Sequence, residues 1–173
     1  MGRISKKRYE NNSLKEEIQK ILDQKYKAKA NHNDNYTFAP PIKEEVMTAW
    51  EQEHGITIPE SYKEWLRFSR ETSINDTTAN FWSPEKFDLY YLPDGLVVIG
   101  SLIGDGEEVC FSKETGKFVS LFEGERTEYD DFKGVLKEVI RLIDPPPIPP
   151  ERIEELKKQY LELLEKRKNN ERN

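Results

Sequence analysis

The 173-residue chain has one cysteine, two histidines and two methionines. Cys110 therefore has no partner for an internal disulfide, and a lone thiol cannot supply the thiolate cluster of a structural zinc site. A reducing, cytoplasmic setting is the expectation. His32 and His54 belong to no recognisable nucleophile, base or metal-ligand constellation, so hydrolysis or proton transfer has no visible centre. No run approaches the roughly 18 to 20 apolar residues that a membrane crossing needs, because charges interrupt every hydrophobic segment. The opening MGRISKKRYENNS carries cations but no apolar stretch follows, so a signal peptide is not expected. Lys6 stands where a myristoylation signal requires Ser or Thr. Positive charge is also in deficit, with 27 Lys and Arg against 33 Asp and Glu and a net charge of −6. That balance opposes nonspecific nucleic-acid binding and suits a cationic partner.

What remains is 35% apolar and 35% charged, enough for the core of one domain with an unusually charged surface. Ser13 and Glu16 have capping-box spacing, and Leu14, Ile18, Ile21, Leu22 and Tyr26 recur at helical intervals, predicting a helix over about 14–27. The polar stretch NHNDNYTFAPP reads as a linker, so 1–41 is expected to be a helix plus an arm. Pro41 can open a second helix bearing Ile42, Val46, Ala49 and Trp50, stopped by Gly55. His54, just before it, places a cation-capable ring at the helix C-terminus. Pro59 opens a third, with Tyr62, Trp65, Leu66 and Phe68 as an aromatic stripe. From about 87 to 122, turn signals at Pro93-Asp94-Gly95, Gly104-Asp105-Gly106 and 113–117 separate four apolar runs, predicting a four-strand antiparallel meander with LVVIG at its centre. Phe132, Val135, Leu136, Val139, Ile140 and Ile143 predict a closing helix. The fold class is therefore α+β, an antiparallel meander of about four to six strands covered by helices, occupying 42–144. A polyproline spacer follows over 145–150. A charged helix over 151–173, striped with Ile153, Leu156, Tyr160, Leu163 and Leu164, is expected to dock before an unstructured end at KRKNNERN.

Candidate functional residues are few, and no catalytic residue, metal ligand or cofactor site is expected. Gly104-Asp105-Gly106-Glu107-Glu108 lacks the calcium-loop pattern and is not followed by the Lys-Ser/Thr pair of a phosphate loop, so it reads as a hairpin turn. Cys110 reads as a small packed hydrophobe. Residues 85–131 hold twelve carboxylates against four cations. This imbalance is either a solvated surface or a docking face, and on the second reading Asp105, Glu107, Glu108, Glu123, Glu125 and Glu128 would meet the partner. Trp82 and Phe81 lie in a polar stretch without helical or strand period and could anchor the same interface, although Trp82 could equally cap the core.

Two blocks carry a resemblance. One comprises Trp50, Glu53, Gly55, Ile56, Ile58, Pro59, Tyr62, Lys63 and Leu66, and the other comprises LVVIGSLIGDGEEVCFSKETGKFV followed by YDDFKGVLKEV. Together, over roughly 42–143, they resemble the SUKH superfamily, which contains fungal cell-wall assembly regulators and many bacterial immunity proteins that neutralise polymorphic toxins. Ser69-Arg70-Glu71 departs from the Asn-Gly pair that ends the second helix in many members. The resemblance implies a non-catalytic module that binds a protein: a cognate toxin, a basic nuclease domain among the candidates; the charge balance and the lack of a long apolar run add the expectation of no direct nucleic-acid or membrane contact. The alternative is a regulatory scaffold like the fungal relatives. A metal-dependent hydrolase using the clustered carboxylates is disfavoured, because scattered turn residues supply no fixed ligand geometry.

Overall fold

The computed structural model describes residues 3–76, 78–104 and 106–170. The chain enters through a single 3-10 turn and α1 (Lys15–Ala30), then makes β1 (Thr37–Phe38), α2 (Glu44–His54) and α3 (Glu60–Phe68). Six further strands follow without an α-helix between them: β2 (Thr72–Ile74), β3 (Ala79–Phe81), β4 (Leu96–Leu102), β5 (Glu107–Ser112), β6 (Phe118–Phe122) and β7 (Glu125–Tyr129). Helices α4 (Phe132–Ile143) and α5 (Pro150–Asn170) complete the order. The sheet is an antiparallel meander in sequence order β1 to β7, seven strands where four to six are expected. β4 is its middle strand, and all seven of its residues are buried, as its unbroken apolar run requires.

One face of this sheet receives α1 to α4. Phe81, Val97, Ile99, Val109, Phe111 and Phe118 meet Ile18 and Ile21 of α1, Met47 and Trp50 of α2, Tyr62 and Trp65 of α3, and Phe132 and Val135 of α4 in one continuous core. The aromatic stripe of α3 is its centre, and Trp65 packs edgewise on Phe68 and Phe81 with ring centroids 5.3 and 5.7 Å apart. Helix α1 shares this core although it precedes residue 42, and its partner there is α4. Arg8 ties the same N-terminal stretch to the domain by donating to the carbonyls of Phe68 and Ala39. Close packing is tightest at Gly100, beside the register shift of β4 against β5, where an added Cβ would fall 2.1 Å from the Asn80 carbonyl oxygen. No larger residue fits there without parting β3 from β4.

Several local expectations are revised. Ser13 does not cap α1: the helix begins at Lys15, Asn12 Oδ1 accepts from Leu14 N at 2.8 Å, and Ser13 N donates instead to Glu64 Oε2 at 3.1 Å. α2 starts after Lys43 and not at Pro41, and Met47 replaces the exposed Ala49 on its buried face. The first of the four predicted runs, FDLYYL at 87–92, is not a ladder strand. It makes one bridge, Asp88 to Val98, between two 3-10 turns begun by Pro84 and containing Pro93, residues that cannot donate to a ladder. α5 does not dock, since none of its described side chains is buried. Its helix runs through Asn170, so most of the expected unstructured end is helical, and 171–173 lie outside the described residues.

Candidate partner-binding surface

Strand alternation sends successive side chains to opposite faces, so the face away from the helices is set by β4, β5, β6 and β7 together. Leu96, Val98, Cys110 and Val119 form a second, smaller apolar cluster there, packed with Trp82, Tyr91 and Leu121. Among the described residues no helical residue joins it. Among the described residues, Trp82 and Tyr91 of the irregular segment between β3 and β4 pack on it. Tyr90, 76% exposed, leans edgewise on Tyr91 at 4.9 Å. Trp82 is half-buried and fixed through its backbone: its N–H donates to Ile99 O at 2.9 Å and its carbonyl accepts from Tyr62 Oη at 2.7 Å. The hydroxyl of the buried Tyr62 thus holds the residue that follows β3 and begins the outer cover.

Charges rim this cluster. Register places Ser101, Glu108, Leu121 and Arg126 in one row across β4 to β7, and Val98, Cys110, Val119 and Glu128 in the next. Arg126 Nε donates to Glu128 Oε1 at 3.1 Å, and among the described residues Glu108 and Asp88 have no equivalent ion pair. Hydrogen bonding to the Glu108 carboxylate holds the Tyr91 phenol above its ordinary pKa. Burial, reinforced by Glu108, pushes the Cys110 thiol up to about 12. Cys110 is fully buried, so it packs and does not present a thiolate.

The sequence-predicted residues divide between this face and one end of the sheet. Trp82, Glu108 and Glu128 lie on the outer face. Glu107 and Glu125 point the other way, opposite Leu102 and Phe122 at the edge of the helix-covered side. Glu123 sits at the tip of the β6–β7 hairpin, and Asp105 lies outside the described residues. The hairpin tips of β2–β3, β4–β5 and β6–β7 share this end, and each holds two successive residues at positive φ: Asn75 and Asp76, Ile103 and Gly104, Glu123 and Gly124. Such pairs match the twist of the strands they join. Ile103 is the exception to ordinary turn chemistry, a β-branched residue at φ 52° and 60% exposed.

Tyr90, Tyr91, Leu121, Ile103 and Phe122 were not singled out by sequence reasoning. The first two fall within the strand-like alternation of FDLYYL, and Ile103 continues the apolar run of β4. Only the turn signal directly after Ile103 could have marked it as a tip residue. Among the described residues no group of three or more His, Cys, Asp or Glu could hold a metal ion. No helix among them is long and apolar enough to cross a membrane.

A family model described as SMI1 / KNR4 family (SUKH-1) matches residues 41–138, more than half of the chain. The matched stretch covers α2 to β7 and most of α4, and so contains the whole outer face. No curated protein matches the chain.

Proposed function

The chain belongs to the SMI1 / KNR4 family (SUKH-1), whose members act through protein–protein interaction and include immunity proteins and fungal regulators, and on that premise we propose that it is an immunity protein that binds and neutralises a cognate toxin in the cytoplasm. The observation that carries this reading is the helix-free outer sheet face. It offers an aromatic and aliphatic centre, Tyr91, Trp82 and Leu121, inside a rim in which Asp88, Glu108 and Glu128 outnumber Arg126. Aromatic anchors inside a polar rim are the usual anatomy of a protein interface, and the acidic excess suits a basic partner such as a nuclease domain. On this reading binding is by occlusion, and no chemical step is performed by the chain. A second reading, a non-catalytic regulatory scaffold, is favoured by one observation alone: α5 buries none of its described side chains and is available to recruit a partner.

Co-expression with toxin domains encoded beside its gene separates the two. An immunity protein restores growth and forms a complex with purified toxin, whereas a scaffold does neither. Glu108→Lys with Glu123→Lys should slow association about tenfold and flatten its salt dependence, because long-range attraction sets the encounter rate. Tyr90→Ala should instead speed dissociation. Unchanged kinetics in both variants would remove the outer face and the adjoining β6–β7 tip from the proposal, and absence of protection by the parent would end the immunity reading.

A further inference from the structure

A meander leaves two edges open, and here they differ. β1 at one edge has two residues, while β7 at the other has five, Glu125 to Tyr129, the first four of them exposed. Long exposed edges invite strand addition, and charged side chains are the ordinary deterrent. In β7 the order of those charges does something more specific.

The Glu123-Gly124 turn, with φ of 47° and 86°, closes on the pair Phe122 and Glu125. A two-residue turn of this kind closes on a pair that exchanges both backbone hydrogen bonds. The ladder then alternates, so Glu125, Thr127 and Tyr129 direct their N–H and C=O groups to β6, while Arg126 and Glu128 direct theirs outward. Neither outward N–H donates in any turn, loop or cap hydrogen bond among the described residues. We infer that this edge pairs antiparallel with β7 of a second copy, about a two-fold axis at Thr127.

That register sets Arg126 opposite Glu128 of the second copy, and Glu128 opposite its Arg126. These are the same residues whose backbone groups point outward, so four hydrogen bonds and two cross-strand ion pairs form together. Thr127 meets its own copy, and Glu125 faces Tyr129, so no like charges stand opposite within the strand. Shifting the axis to Arg126 or to Glu128 sets like charges against each other, and shifting it to Glu125 does the same, each disfavoured directly across a ladder. The edge thus accepts one alignment of itself and repels its neighbours. The two seven-stranded sheets become continuous, with both outer faces on the same side, as an isologous contact requires. The contact is small, so association is weak and concentration-dependent. It is independent of the toxin-binding reading, because it requires no other protein.

Sedimentation equilibrium of the full chain, from micromolar to several hundred micromolar, combined with amide hydrogen exchange over the same range, tests it. The parent should pass from monomer to dimer, and the Arg126 and Glu128 amides should gain protection as it does. Arg126→Glu should raise the dissociation constant at least about tenfold, and Arg126→Glu with Glu128→Arg should restore it. Both variants change only exposed side chains, and circular dichroism establishes that they fold. A chain that stays monomeric throughout, a dimer whose protected amides lie elsewhere, or a double variant no better than the single one would each overturn the inference.

Discussion

Trp65 stands at 0% exposure between Phe68, Phe81 and Phe132, and its indole Nε1 has no hydrogen-bond partner among the described residues. A buried donor left unpaired costs about 1 to 3 kcal/mol. Trp65→Phe deletes that donor and leaves roughly 40 Å³ of space, which at about 24 cal/mol per Å³ costs about 1 kcal/mol, with a similar loss of buried apolar area. The two effects oppose each other, and the expected net change is within about 1 kcal/mol of zero. Trp65→Ala removes the ring contacts as well and should cost about 3 to 5 kcal/mol. Tyr62→Phe makes the contrast. Its hydroxyl donates to Trp82 O at 2.7 Å, so a change that is gentler in size strands a carbonyl and should cost about 1 to 3 kcal/mol. Urea unfolding followed by far-ultraviolet circular dichroism gives all three values without depending on indole fluorescence. A Trp65→Phe penalty above about 2 kcal/mol at unchanged m-value, larger than that of Tyr62→Phe, would refute the reasoning and show that the indole N–H is satisfied.

Arg67 bridges α2 and α3 through Glu44, Glu60 and Glu64 at 2.6, 2.5 and 2.7 Å, and its hydrogen bond holds the Glu44 carboxyl below its ordinary 4.5. A depressed carboxylate contributes stability that is present above pH 4.5 and lost as pH falls through the folded value, where the unfolded chain binds more protons. Arg67→Ala should therefore cost roughly 1 kcal/mol at pH 7, Glu44 and Glu60 being exposed and Arg67 and Glu64 partly so, and the difference from the parent should shrink in acid urea titrations. Cys110, with its thiol raised to about 12 and no exposure, should resist iodoacetamide at pH 8 until the chain unfolds; alkylation of the native protein would contradict its packing. Ending the chain at Asp144 should move the melting temperature by less than about 2 °C, because α5 buries no described side chain. Removing residues 1–30 should prevent folding, since Ile18, Ile21 and Leu22 are each fully buried and each contributes about 1.5 to 3 kcal/mol. Calorimetry of the two truncations checks both.

Where periodicity was strong the elements were legible. The 3.6-residue stripes of α3 and α4 and the unbroken apolar run of β4 announced their burial. The Asp131 cap, whose Oδ1 accepts from Gly134 N at 3.1 Å, sits directly before the stripe it starts. β7 escaped notice because ERTEY is an edge strand with one solvated side and no hydrophobic alternation. β2 and β3 escaped because three-residue strands in ETSINDTTANF carry too few apolar positions to show a period of two. FDLYYL failed in the opposite sense: its alternation is real, with Phe87 and Leu89 entering the core, but flanking prolines deny it a ladder. The candidate surface was legible as a surplus of carboxylates and hidden as a place. Glu107 and Glu108 are neighbours in the chain and face opposite sides of the sheet, a separation that only the register fixes.

The stiff run from Pro145 to Pro149 has a consequence in search geometry. Five residues in polyproline II extend about 15 Å, at roughly 3.1 Å each. The 21 residues of α5 add about 31 Å at 1.5 Å each. Anything held at the far end of α5 is confined within roughly 50 Å of the point where α4 stops. Such confinement corresponds to a local concentration in the millimolar range when the spacer matches the span between two sites. A modest contact made by Leu156, Tyr160 and Leu163 could then hold a partner that the sheet alone would release, and lengthening the proline run would weaken that grip without altering a single contact.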